Sequence, residues 1–184
     1  THFENTNGLD DTVENHVTSA KDIAIMSREL IRHKKILEYS SIWMDTVRDG
    51  SFGLTNTNRL VRYYDGCTGL KTGSTDKAGY CISVTASRAD MDLICVIMNA
   101  PSIKDRNNDA RALLDFGFYG FGSYKVDLSE LDMVKVDRGK DEFVKPIADC
   151  RSIILPKSDI SRVKTVYKIN EAISAPIKKG DTLG

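Results

Sequence analysis

Hydrophobic and polar positions follow two different periods along this chain, and the changes of period mark its predicted elements. Between Ser19 and Arg32 the apolar residues Ile23, Met26, Leu30 and Ile31 are separated by charges, the spacing of a helix that packs on one face. Lys34 to Ser41 predicts a further short helical turn. Trp43 to Val47 and Phe52 to Thr55 predict strands flanking Arg48-Asp49-Gly50-Ser51, whose Asp-Gly pair is a hairpin signal. Asn58 to Tyr64 predicts a short helix. The β-branched run Tyr80 to Ser87, the turn Arg88-Ala89-Asp90 and the apolar run Met91 to Met98 together predict an antiparallel hairpin. Pro101 ends the sheet region, and Asp105 to Phe118 returns to helical spacing at Ala112, Leu113 and Phe116, with Gly117 and Gly120 as stops.

From Phe121 onward the texture becomes short and alternating, as in Tyr124 to Leu128 and Met133 to Asp137, with a turn at Arg138-Gly139-Lys140. This predicts an all-β second domain. Its last turn, Lys178-Lys179-Gly180-Asp181, points into a strand that would follow Gly184. No internal repeat or low-complexity tract is evident.

Composition narrows the functional classes. A chain of 184 residues that is 41% hydrophobic can bury a core for one domain or one and a half. Acidic and basic residues balance at 26 each, which removes any bulk electrostatic drive toward nucleic acid or an anionic membrane. No run approaches the roughly 18 apolar residues of a membrane span, and no signal-peptide pattern opens the chain. Cys67, Cys81, Cys95 and Cys150 form no Cys-x-x-Cys pair and the three His no His-x-x-x-His, so no metal site and no cofactor is expected. Cys81 and Cys95 fall in the two strands of the predicted hairpin and could face each other, with free buried thiols as the simpler state.

The chemistry concentrates in Gly69-Leu70-Lys71-Thr72-Gly73-Ser74-Thr75, which sets a cation, hydroxyls and an unobstructed backbone on one extended stretch. That combination suits a carboxylate-bearing acyl substrate, and Lys-Thr-Gly followed by a hydroxyl residue is the third signature of penicillin-binding proteins and serine β-lactamases. Thr1-His2-Phe3, Asn5, Gly8-Leu9, Thr18 to Ala24, Asn56-Thr57-Asn58 with Leu60, Gly66 with Gly69 to Gly73, Leu113-Leu114-Asp115 with Gly117-Phe118, and Ala175 to Asp181 with Gly184 accompany it in order. On these residues the whole chain resembles the D-alanyl-D-alanine carboxypeptidases, the low-molecular-mass penicillin-binding proteins.

The resemblance implies an α+β fold: part of a β-lactamase/transpeptidase-like domain, an antiparallel sheet with helices, over residues 1–120, followed by a small β-rich domain over 121–184 that is expected to be incomplete. It implies acyl transfer: a serine attacks the carbonyl between two D-alanines of a peptidoglycan pentapeptide, the last residue leaves, and water hydrolyses the acyl-enzyme. Lys71 and the backbone N–H of Ser74, as half of an oxyanion hole, are the implied catalytic groups. Thr72, Gly73 and Arg106 are the implied substrate-binding residues, with Arg106 offering a fork of donors to a terminal carboxylate.

In this family the nucleophilic Ser-x-x-Lys and the Ser-x-Asn element precede the segment matching Thr1, so this chain is expected to be a fragment, inactive alone, whose partner is the missing N-terminal part of the catalytic domain. The strings Ser74 to Lys77 and Ser161 to Lys164 do not open a buried helix, and Thr18 or Ser19 serves better as a helix cap. The implied partners are the pentapeptide and β-lactam antibiotics. The implied location is extracytoplasmic, at the outer face of the cytoplasmic membrane, held there only through segments outside this sequence. Two other readings stand beside this one: a β-lactamase-like hydrolase, which the second domain argues against, and a non-catalytic wall-binding or scaffold protein, which an upstream nucleophile would exclude.

Overall fold

A computed structural model describes residues 1–127, 131–147, 152–170 and 172–183. Two compact units divide the chain, 1–121 and 122–184.

The first unit is built on an antiparallel sheet of β3 (Cys67–Thr75), β4 (Gly79–Arg88) and β5 (Met91–Ala100), in the order β3-β4-β5. The β4–β5 turn is a two-residue connection in which Ala89 and Asp90 both have positive φ, 46° and 61°, the twist that suits a tight hairpin. Alternate β4 residues Ile82, Val84 and Ala86 point into the core and meet Leu60, Ala110, Leu114 and Phe118. Around the sheet lie α1 (Ala20–Leu30), α2 (Lys35–Ser40), the hairpin β1 (Met44–Val47) with β2 (Phe52–Thr55), α3 (Leu60–Tyr63) and α4 (Ile103–Gly120). Ser19 caps α1 and Ser102 caps α4, each hydroxyl accepting from a backbone N–H three residues on, at 3.1 Å. The Arg88 guanidinium lies between two rings, 4.5 Å from the centroid of Tyr64 and 4.7 Å from that of Phe118.

Helix α4 buries a face other than the one expected from its spacing, and α1 does so in part, with Ile23 and Ile31 half-buried as expected. On α4 the buried stripe is Arg106, Ala110, Leu114 and Phe118, four residues apart, while Ala112, Leu113 and Phe116 face outward. Gly117 does not stop this helix. A Cβ there would lie 2.4 Å from Leu93 Cδ1, so glycine lets α4 rest directly on β5, and the helix continues to Gly120. On α1 the buried residue is Ser27, whose hydroxyl meets that of Ser83 on β4 at 2.7 Å, and Met26 and Leu30 remain about two-fifths exposed. The thiols of Cys81 and Cys95 do not face each other, because Cys95 pairs with Val84, three residues along β4. Cys67, Cys81 and Cys95 are free thiols, and Cys150 lies outside the described residues.

The second unit is sheet-based. Strand β6 (Phe121–Lys125) pairs with β9 (Ser152–Pro156), and β7 (Val134–Asp137) sits between β8 (Phe143–Val144) and β10 (Ala172–Ser174), antiparallel to the first and parallel to the second. One helical turn, α5 (Lys157–Ile160), interrupts it and ends at Ser161, which therefore follows a helix instead of lying in a strand. Leu128, the end of one predicted strand, falls outside the described residues. The Lys178 to Asp181 turn is closed by the Asp181 carboxylate accepting from Lys178 N at 2.7 Å. No described helix is long and apolar enough to cross a membrane.

Candidate active site

Lys71, Thr72, Gly73 and Ser74 lie together on β3, which among the described residues is an edge of its sheet. Their register partners on β4 are Ser83, Ile82, Cys81 and Tyr80. The two ends of this strand are treated differently. At its start, side chains from outside the sheet occupy the outward carbonyls: Ser40 Oγ donates to Thr68 O at 2.7 Å and Asn58 Nδ2 to Gly69 O at 2.8 Å. From Lys71 onward Lys71, Gly73 and Ser74 are exposed, and only Thr72, 8% exposed, is buried. An edge strand carries a row of backbone donors and acceptors available to another extended chain.

The glycines separate structural from open positions. A Cβ on Gly69 would come within 2.4 Å of Ser40 Oγ, so that glycine is needed for close packing. A Cβ on Gly73 would meet nothing within 4 Å, and its φ is not in the left-handed region. Nothing among the described residues requires a glycine at 73.

The individual side chains are placed as follows. Lys71 Nζ donates to its neighbour's carbonyl, Thr72 O. Thr72 Oγ1 lies 2.7 Å from Thr57 Oγ1. Beyond Ser74 the β3–β4 and β5–α4 connections enclose a polar concavity of about 390 Å³ lined by Ser74, Thr75, Tyr80, Asn99 and Pro101 among others. Thr75 Oγ1 donates to Asp10 at 2.6 Å, which ties the N-terminal segment to this corner.

Arg106 sits in the first turn of α4, 4% exposed, and its side-chain hydrogen bonds go to Asn107 Oδ1 at 3.2 and 3.1 Å. Burial lowers its pKa from the ordinary guanidinium value, with nearby Cys81 acting in the opposite sense. Among the described residues, this buried guanidinium is bonded only to a neutral amide and has no acidic partner. Cys81, which acts electrostatically on Arg106, is the register partner of Gly73.

Three contributors escape a reading of the sequence. Asn58, at the start of the predicted short helix, is 2% exposed and anchors β3 through Gly69. Thr57 meets Thr72, and the Ser27 to Ser83 pair locks α1 to β4. The cue available in advance was the Asn-x-Asn spacing at 56 and 58, in which each amide oxygen accepts from the backbone two residues on, at 2.9 and 3.1 Å.

The sheet, its surrounding helices and the small sheet-based unit that follows have counterparts in known proteins that match most or all of the chain. A family model described as D-alanyl-D-alanine carboxypeptidase matches residues 1–102, and one described as penicillin-binding protein 5, C-terminal domain, matches 129–184. The D-alanyl-D-alanine carboxypeptidase DacF of Bacillus subtilis is 37% identical over 191 residues, covering 100% of this chain and 49% of that protein. The crystal structure of penicillin-binding protein 5 from Haemophilus influenzae superposes with a TM-score of 0.75 at 32% identity, covering 96% of this chain and 52% of the other. Penicillin-binding protein D2 from Listeria monocytogenes, in its cefotaxime-bound form, gives 0.57 at 37% identity over 60% of this chain and 45% of its own. The chain belongs to the D-alanyl-D-alanine carboxypeptidase family. It spans about half the length of the curated relatives it matches.

Proposed function

We propose that this chain is the Lys-Thr-Gly-bearing part of a serine D-Ala-D-Ala carboxypeptidase, which removes the terminal D-alanine of peptidoglycan stem pentapeptides through an acyl-enzyme and is acylated by β-lactams. Residues 1–120 are then the C-terminal part of the catalytic domain and 121–184 its β-rich companion. The attacking serine comes from sequence outside these 184 residues, and the work is done on the outer side of the cytoplasmic membrane.

The observation that carries this reading is the uncovered end of β3, with empty space over Gly73. A peptide entering there adds to the edge by strand-type hydrogen bonds, and a side chain at 73 would obstruct it. In this assignment Lys71 supplies positive potential and assists proton movement. The Ser74 N–H faces the developing oxyanion, where one such donor is worth about 3–4 kcal/mol of transition-state stabilisation. Thr72 Oγ1 contacts the terminal carboxylate, and Arg106, a buried cation lacking an acidic partner, attracts it. The Listeria monocytogenes relative, solved in a cefotaxime-bound form, supports β-lactams as ligands.

Covalent labelling by a fluorescent penicillin tests the assignment. The full-length protein is expected to label, and Lys71→Ala to slow labelling by about a hundredfold or more, the usual scale of a lost proton-transfer group. Labelling of the 184-residue chain alone would place the nucleophile inside it and overturn the division of roles.

A further inference from the structure

The segment Asn56-Thr57-Asn58 has no part in the function as drawn so far, yet it holds the functional strand from outside. Asn56 Nδ2 donates to Ser40 O at 3.1 Å and Ile42 O at 2.9 Å, and its Oδ1 accepts from Asn58 N at 2.9 Å. Asn58 donates to Gly69 O at 2.8 Å and its Oδ1 accepts from Leu60 N at 3.1 Å. Thr57 is therefore clamped on both sides. Its one side-chain contact is with the middle residue of Lys-Thr-Gly, Oγ1 to Oγ1 at 2.7 Å.

We propose that Thr57 is a positioning residue for the Thr72 hydroxyl: it donates to Thr72 Oγ1 and so leaves the Thr72 proton aimed at the carboxylate of the ligand. The inference rests on the reading of Thr72 as a carboxylate contact. A hydroxyl has one proton and two lone pairs. If Thr72 donated to Thr57, it would show only lone pairs to an incoming anion, and the two would repel. If Thr72 accepts from Thr57, its proton is free for the anion, and the two hydrogen bonds polarise each other in the same sense. Thr72 is buried and β-branched, so its χ1 has little freedom and the hydroxyl rotor is what remains to be set. Thr57 is the only side chain that contacts that hydroxyl among the described residues.

The alternative is that the pair merely satisfies two hydroxyls. A pair of peptides distinguishes these, one ending in D-Ala-D-Ala carboxylate and one in the corresponding carboxamide, whose terminal group can donate as well as accept and so does not need the proton aimed. In the full-length protein, Thr57→Val is expected to lower kcat/KM on the carboxylate peptide about tenfold, the size of one hydrogen bond in a chain ending on a charge. On the carboxamide peptide the change should stay within about twofold, and Thr57→Ser should restore the carboxylate activity. In a Thr72→Val background the Thr57→Val substitution should have no further effect, since the interaction is already gone. Thr57 is exposed, so valine there leaves the fold intact, which a melting curve verifies. An equal loss on both peptides, an absence of rescue by serine, or additive effects of the two valines would each overturn the Thr57 assignment. If the wild-type protein itself treats the two peptides alike, or works on neither, the reading of Thr72 fails first, and this inference goes with it.

Discussion

Gly73 and Cys95 show how much a single position can report about this molecule. Because a Cβ at 73 meets nothing within 4 Å and the backbone there is ordinary strand, Gly73→Val should leave the chain as stable or slightly more so, β-branched residues being favoured in strands. Under the proposed function, penicillin acylation of the full-length protein should nevertheless fall by about tenfold or more, since the new side chain would stand where that reading has the ligand strand enter. A lowered melting temperature with acylation unchanged would mean that the open space has no functional role. Cys95 titrates the fold itself. Burial, reinforced by the Asp109 carboxylate, pushes its thiol up to about 11. The folded state thus holds this proton after the unfolded chain has released it. Stability is fully present below the unfolded thiol pKa and is lost as pH rises through about 9 to 11, by about 2–3 kcal/mol for a two-unit shift. Burial also raises Cys67, so it adds a slope of the same sign. Urea midpoints should be flat from about pH 7 to 8.5 and then decline, and Cys95→Ala should remove part of the decline.

Among the elements, α4 separates pattern from packing most clearly. Two stripes with helical spacing run along it, each carrying one leucine and one phenylalanine, and the one with Leu113 and Phe116 is exposed. The buried stripe begins with an arginine and an alanine, so its apolar content does not announce it. Leu114 is 1% exposed and Leu113 is 53% exposed. Leu114→Ala should therefore cost about 3–4 kcal/mol, the cost of an emptied core site, and Leu113→Ala less than about 0.5 kcal/mol, both measured by chemical denaturation. Similar losses at the two positions would contradict the observed orientation. The strands were more legible, because a period of two places alternate residues on opposite faces and leaves little choice of register once a two-residue turn is present. On α1 the amphipathic spacing located the helix, but its one fully buried residue, Ser27, is held by a hydroxyl pair that no hydropathy pattern signals.

At the scale of the whole molecule, the first unit leaves apolar side chains open on several neighbouring elements. Ile25, Met26 and Leu30 of α1, Tyr39 of α2, and Met44 and Phe52 of the hairpin are all more than two-fifths exposed. Exposed apolar surface on this scale is uncommon in a self-sufficient soluble domain. The 184-residue chain expressed alone should bind a hydrophobic dye and self-associate with rising concentration, and the pair Met26→Gln and Leu30→Gln should reduce both. A chain that stays monomeric and dye-silent at high concentration would show that these side chains do not act as a sticky surface.

The order of helices and strands in the first unit, the hairpin that follows the Lys-Thr-Gly stretch and the membership of a carboxypeptidase family were written in local patterns, because periodicity, turn residues and short motifs act over a few neighbours, while the α5 turn was not. Which face of α4 is buried, which glycine is open, and what Thr57 and Asn58 hold depended on residues brought together from far apart, Ser27 and Ser83 being 56 positions from each other. Hydroxyls and amides carry no directional signature in sequence, since each can serve a turn, a cap or a distant partner equally well. Only the folded chain chooses among those uses.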